Sequence, residues 1–380
     1  MRVLVCPESF SGGLSAHRAA QVIADGLSST SADFDIRTIP LSMDDQIIET
    51  ILAACPGEWR EAVVLGEENT SIRVRYGLIQ AGTAAVILPH RVSARTFGSP
   101  DMTSFGAGQL LKAVLQEKNV ARVFWYLPEG TWPVDGGVGF LQALGVSLLD
   151  PNGKSVSWAA GSLARLTRVD FRGILPRLQQ VEVVVAYPTP AALLGRQGAA
   201  WHWGSRTGAN LITIERVEQG LSTLAQAIQR THGGACHTLT GTGAGGGLGY
   251  GLALVGAKLR PAAQVLLENL DLLAQIRQVQ LVITGQAQTD RQTLPQQIVP
   301  SVLRLCQQTG TPAVVLSGSV RPQELETVFN SGAWAVLNTL PSLMSTAQML
   351  EEASTNLYFS AQQLGRLLLL GKKLNPPSVL

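Results

Sequence analysis

Three observations in the sequence predict an α/β fold built around parallel sheet. Short apolar, β-rich runs alternate with segments of helical period along the chain. Several of these runs are apolar almost throughout, as strands covered on both faces are. Glycine-rich or acidic residues directly follow several of them. In open α/β sheets, ligands bind beyond the carboxyl ends of the strands.

The first strand is predicted over residues 2–6, Arg-Val-Leu-Val-Cys, and Pro7 ends it. Further strands are expected over 35–41, 61–65, 73–79, 84–88, 123–127, 182–187, 281–284, 313–317 and 335–337. The last two read as continuations of the opening sheet, and Trp125, in an apolar run, reads as core. Helices are expected over 15–27, with Ser15 as its cap, and over 46–54, 105–117, 138–144, 221–231, 263–273, 297–310 and 347–370. The last is apolar on one face and reads as a packing helix. Residues 374–380, with Pro376-Pro377, read as a loose tail.

At 380 residues the chain can form two domains of ordinary size, and no linker marks a boundary. Apolar residues make up 46% and charged residues 15%, the latter low against the usual share of about a quarter. No apolar run approaches the roughly 18 residues that cross a bilayer. The opening strand is too short and too soon broken for a signal peptide, so the expectation is a cytoplasmic protein. A net charge of +2, with no basic stripe interleaved with aromatics, gives no basis for nucleic-acid or anionic-membrane binding. The four cysteines, Cys6, Cys55, Cys236 and Cys306, lie far apart and read as free thiols. His232 and His237 flank Cys236 without a second ligand pair, so no metal site is assigned.

The run Gly241-Thr242-Gly243-Ala244-Gly245-Gly246-Gly247-Leu248-Gly249-Tyr250-Gly251 carries seven glycines in eleven residues. Such a loop lets backbone approach a phosphate or another backbone segment. It lacks the Lys-Ser or Lys-Thr of a Walker A loop, and no acidic residue follows at the dinucleotide-binding spacing. A phosphate cradle and a close-packing turn both remain open.

Five segments, in order, resemble the class I glycerate kinases. The opening Cys6-Pro7-Glu8-Ser9-Phe10-Ser11-Gly12-Gly13-Leu14-Ser15-Ala16 is similar to that family's Ala-Pro-Asp-Ser-Phe-Lys-Gly-Ser-Leu-Ser-Ala. Thr103-Ser104-Phe105-Gly106-Ala107-Gly108-Gln109-Leu110 resembles its Thr-Ser-x-Gly-Thr-Gly-Glu/Gln-Leu. Asp135-Gly136-Gly137 through Gln142-Ala143-Leu144-Gly145, the glycine run, and Val282-Ile283-Thr284-Gly285 through Asp290-Arg291-Gln292-Thr293 resemble three more of its motifs. The resemblance extends from Arg2 to about Arg366. It implies two unequal α/β domains: a doubly wound, flavodoxin-like domain from residues 1–70 and 280–370, and an inserted α/β domain over 71–279. The implied reaction transfers a phosphoryl group from ATP, with Mg²⁺, to D-glycerate, giving 2-phosphoglycerate and ADP.

The same resemblance implies the site residues. Asp135, Asp290 and Glu8 are the candidate catalytic acids. Ser9, Ser104, Gly106, Arg206, Gly243, Gly246, Gly247, Thr284 and Gly285 are candidates for binding substrate or nucleotide. The residues themselves leave plainer readings open: Asp135 as a helix cap, Asp290 as a turn residue, and His202 between two tryptophans as packing.

Departures from the family cluster at charged positions. Where it has lysine, Ser11, Thr207 and Gln297 stand here. Acids give way to Leu88, Pro188 and Gln286, and an Asp-Gly-Gly-Glu-Gly segment is replaced by Ser42-Met43-Asp44-Asp45-Gln46. Phosphoryl transfer rests on positioning and charge neutralisation, so these losses bear on rate before fold. The expectation is a weak or inactive member that serves as a binding or regulatory module for a small organic acid, a nucleotide, a protein partner or a second copy of itself. The other expectation is a divergent active kinase of glycerate or another small hydroxy acid.

Overall fold

The computed structural model describes residues 1–10, 14–42, 46–66, 70–79, 82–87, 97–99, 101–127, 133–157, 160–233, 236–289, 298–340 and 345–374. In chain order its elements begin with β1 (Arg2–Val5), α1 (Ala16–Ser28), β2 (Asp35–Thr38), α2 (Ile47–Ala54), β3 (Gly57–Leu65), β4 (Ser71–Ile79) and β5 (Thr83–Ile87). Then come α3 (Phe105–Gln116), β6 (Arg122–Tyr126), α4 (Val138–Ala143), β7 (Ser147–Leu149), β8 (Arg168–Asp170), β9 (Glu182–Tyr187), α5 (Ala199–Arg206) and α6 (Leu211–His232). The chain continues through α7 (Leu248–Leu254), β10 (Lys258–Pro261), α8 (Ala262–Asn269), α9 (Leu272–Ile276), β11 (Leu281–Thr289) and α10 (Ile298–Thr309). It ends with β12 (Ala313–Val320), α11 (Leu325–Asn330), β13 (Ala335–Asn338), α12 (Thr346–Glu351) and α13 (Ala353–Leu374). No helix among the described residues is long and apolar enough to cross a membrane.

Contacts divide the chain into two units, Met1–Ser42 with Leu266–Leu380, and Met43–Val265. The first holds a five-stranded sheet in the order β13-β12-β11-β1-β2, parallel at every pairing. Val3, Val5, Ile283 and Leu316 form one buried cluster with residues of α1 and α13, among them Ile23, Leu27, Leu357 and Leu364. The alternate residues Leu4, Val282 and Val315 are fully buried outside that cluster, as expected of strands covered on both faces. α10 packs on β11, and its buried residues, Val299 and Val302 among them, also lie outside the cluster. The sheet is therefore doubly wound, and β12 and β13 do extend the sheet that β1 opens.

The second unit holds a six-stranded mixed sheet in the order β10-β9-β6-β5-β4-β3 and the small hairpin β7-β8. β3, β4 and β5 pair antiparallel, while β5, β6, β9 and β10 pair parallel. Trp125 is core, fully buried and edge-on to Phe140 at 6.3 Å between ring centroids. The four cysteines are free.

Several elements differ from expectation for identifiable reasons. The expected helix over 263–273 is two helices, α8 and α9, because Asp271 adopts φ +46°, a left-handed conformation that ends a helix. The expected helix over 347–370 is α12 and α13, and Ser345 starts α12 with a reciprocal capping box to Gln348. α6 starts ten residues before the expected 221, because the Asn210 side chain accepts from the Thr213 N–H at 2.9 Å and caps it. β11 runs to Thr289 instead of stopping at 284, since its polar second half stays paired with β12 as far as Val320. The three- and four-residue strands β7, β8 and β10 are too short to show a period.

Candidate functional site

In the second unit, Asp135 follows β6 and immediately precedes the Gly136-Gly137 turn into α4. Both glycines have positive φ, +68° and +79°, so the chain turns sharply enough to lay the carboxylate over the start of the helix. Oδ1 accepts from the Gly137 N–H at 2.8 Å. Oδ2 accepts from the Gly139 N–H at 3.2 Å, the Ser104 N–H at 2.7 Å and the Ser104 hydroxyl at 2.8 Å. The Ser104 oxygen in turn accepts from the Phe140 N–H at 2.9 Å. Ser104 immediately precedes α3, so this pair of side chains ties together the N-termini of α3 and α4. Asp135 is 0% exposed. Burial pushes its carboxyl above the usual range, and the bonds from Ser104, Gly137 and Gly139 pull the other way.

The glycines around this knot permit backbone contact. A Cβ at Gly106 would overlap the Leu65 carbonyl oxygen, and one at Gly246 would overlap that of Pro133. The glycine run is buried from Gly241 to Tyr250 and lies on the turn that carries Asp135, with the Gly136 N–H donating to the Gly246 carbonyl at 3.2 Å. The Gly243 N–H donates to the Ala191 carbonyl at 2.8 Å. Ser104, Gly106, Asp135, Gly243, Gly246 and Gly247 thus form one locality, and the run joins backbone to backbone there. These backbone contacts are those of a close-packing turn.

Arg206 sits in the last turn of α5, exposed, with its guanidinium carbon 5.7 Å from the centroid of the Trp203 ring. His202 is edge-on to Trp203 at 4.7 Å, and burial, with Arg206 second, pushes its imidazole below the usual histidine value. His232 stacks on Phe171, with ring centroids 4.5 Å apart.

In the first unit, Glu8 follows β1, and its N–H donates to the Gly285 carbonyl at 2.8 Å. Its Oε1 accepts from the Val299 N–H at 3.2 Å, placing an acid at the start of α10, where the helix dipole favours it. The Thr284 hydroxyl donates to the Cys6 carbonyl at 2.8 Å and stitches β11 to β1. A Cβ at Gly285 would overlap the Leu316 carbonyl oxygen, and Ser9 is exposed. Asp290 lies outside the described residues, as do Ser11, Asp44, Asp45, Leu88, Gln297 and the tail after Leu374.

Sequence reasoning named Gln286 only as a missing acid, and Thr289 and Ser317 not at all. All three are buried where β11 and β12 pair, with Gln286 opposite Ser317. Polar side chains inside a strand pair stand out only once the register is known.

Among the described residues, no three His, Cys, Asp or Glu side chains gather as a metal site would require. Glu8 Oε1 and both oxygens of Asp135 already have protein partners. The described residues do not by themselves make the Mg²⁺ site that the family resemblance implies, and no chemical step is assigned to that ion.

A model of the glycerate kinase family matches residues 3–369. The glycerate kinase of Halalkalibacterium halodurans is 30% identical over 370 residues, covering 95% of this chain and 97% of that protein. The glycerate 2-kinase of Escherichia coli K12 is 27% identical over 381 residues, covering 98% and 99%. The crystal structure of a protein assigned as glycerate kinase 2 of Salmonella typhimurium LT2 superposes with a TM-score of 0.81 at 26% identity, covering 99% of this chain and 100% of that one.

Proposed function

We propose, for a chain that belongs to the glycerate kinase family, that it binds a small hydroxy acid of the glycerate type and transfers phosphoryl groups to it slowly or not at all. One observation carries this reading. The acid that survives from the Asp-Gly-Gly motif, Asp135, is wholly enclosed and already accepts four hydrogen bonds. A carboxylate in that state has no free face for a metal ion or for the proton of a reacting hydroxyl. Its role is to position α3 and α4. Three family lysine positions hold Ser11, Thr207 and Gln297, and so lack the cations that neutralise a migrating phosphoryl group.

A second reading has its own support. The likeness to named glycerate kinases covers nearly the whole chain, and Arg206 offers an exposed guanidinium one residue from a lost lysine position. On that reading the protein is a divergent kinase of glycerate or a related hydroxy acid, using ATP. Thermal-shift titration with D-glycerate, ATP and ADP, with and without Mg²⁺, tests the binding claim shared by both readings. A midpoint that rises with D-glycerate concentration is expected. A flat response to D-glycerate would contradict it.

A further inference from the structure

Gln286, on β11, is 4% exposed, yet its amide is held in one orientation. Its Nε2 donates to Thr289 Oγ1 at 3.0 Å. Thr289 Oγ1 lies 3.0 Å from Ser317 Oγ, and Ser317 Oγ donates to the Ser319 carbonyl at 2.8 Å. Each hydroxyl has one proton to give. Ser317 gives its proton to Ser319, so Thr289 must donate to Ser317, and the amide must donate to Thr289. The chain therefore runs one way, and the network settles which end of the amide is nitrogen. Oε1 faces away from it, buried and without a hydrogen-bond partner among the described residues.

A buried acceptor left bare is unfavourable and marks a place where a donor belongs. The bare oxygen sits on the strand that carries Thr284 and Gly285, on a doubly wound parallel sheet of the kind that binds ligands beyond its strand ends. The donor must be small, because Gln286 is almost fully covered. The polar side chains in the chain itself, an amide and two hydroxyls, are neutral, so a ligand hydroxyl fits better than a charged group.

We propose that Gln286 is a specificity-determining contact: its Oε1 accepts the hydrogen bond of a hydroxyl on the bound hydroxy acid and selects hydroxylated over deoxy ligands. The identity of the acid rests on the function proposed above. A site built around an otherwise unpaired polar atom discriminates strongly against a ligand that lacks the matching group.

Isothermal titration calorimetry of the full chain tests this with D-glycerate, 3-hydroxypropionate and lactate, the last two each lacking one hydroxyl. The wild type is expected to bind D-glycerate about tenfold more tightly than at least one of the two analogues. Gln286→Met keeps the shape and removes the acceptor. It is expected to raise the Kd for D-glycerate about tenfold while moving that of the disfavoured analogue by less than about twofold. A folded Gln286→Met protein with wild-type affinity for D-glycerate overturns this inference and leaves the functional reading standing. Equal wild-type affinity for all three acids overturns it without any variant, should Gln286→Met fail to fold. No heat from the wild type with D-glycerate overturns both.

Discussion

Four donors converge on the Asp135 carboxylate, and three of them are backbone N–H groups at the start of α3 or α4. Each buried donor left without an acceptor costs about 1–3 kcal/mol, and losses around one atom are not additive. Asp135→Ala is therefore expected to lower unfolding free energy by roughly 3 kcal/mol or more, measured by urea denaturation. A loss below about 1 kcal/mol would show that the knot is not holding the two helices. Asp135 also gives a pH signature. Its carboxyl is pushed up by burial in the folded state. A carboxyl raised in this way favours folding fully below its unfolded value, near 3.9, and loses that contribution as pH rises through the folded value. The stability of the wild type relative to Asp135→Asn is expected to fall across that window. The variant is the reference because Asp170, held low by Arg172, and Glu182, held low by Lys258 and Arg122, act in the opposite direction in both proteins. A rise of the wild type relative to Asp135→Asn over the same window would mean that the four donors outweigh burial. The motif around Asp135 was legible in the sequence, and so was the option of a helix cap. The bond to Ser104, 31 residues earlier, was not, because nothing local in the sequence shows which two helix starts will meet.

The start of α1 was readable because a capping side chain stood beside an apolar period, whereas Asn210, which caps α6, was passed over. Ser15 was expected to cap the first helix, and its hydroxyl accepts from the Arg18 N–H at 3.3 Å. Ser15→Ala is expected to cost about 1 kcal/mol of stability in the same denaturation measurement, with no change contradicting the cap. Interruptions were not readable, because nothing in the local pattern marks Asp271 for a left-handed conformation. Glycine positions separate two element-level effects. Gly106 has the Leu65 carbonyl where a Cβ would go, whereas Gly371, within α13, has nothing within 4 Å. Gly106→Ala is expected to destabilise by more than about 2 kcal/mol, through backbone displacement that a packed core resists. Gly371→Ala should stabilise by roughly 0.5–1 kcal/mol, because alanine is the better helix former and meets no obstacle. Similar shifts from both variants, read as thermal midpoints, would undermine the close-packing account of the glycines.

At the scale of the whole molecule, the α/β class and the parallel opening sheet were legible because apolar strands and helical periods alternate over most of the chain. The second unit's antiparallel edge of β3 and β4 was less so, since strand direction leaves no mark in a single strand's pattern. The site was legible as motifs and not as chemistry. The glycine run, the Asp-Gly-Gly turn and the Thr-Gly pair all join one stretch of backbone to another, and that packing is what their residue types require. The charged positions carry no such packing requirement in the sequence pattern. Loss of one positioned donor typically lowers a rate by on the order of 10²–10³. The most direct test is ADP release from Mg-ATP and D-glycerate, with the E. coli glycerate 2-kinase assayed alongside. Turnover at least about 100-fold below that relative is expected, and turnover on the order of 1 s⁻¹ or more would contradict the account.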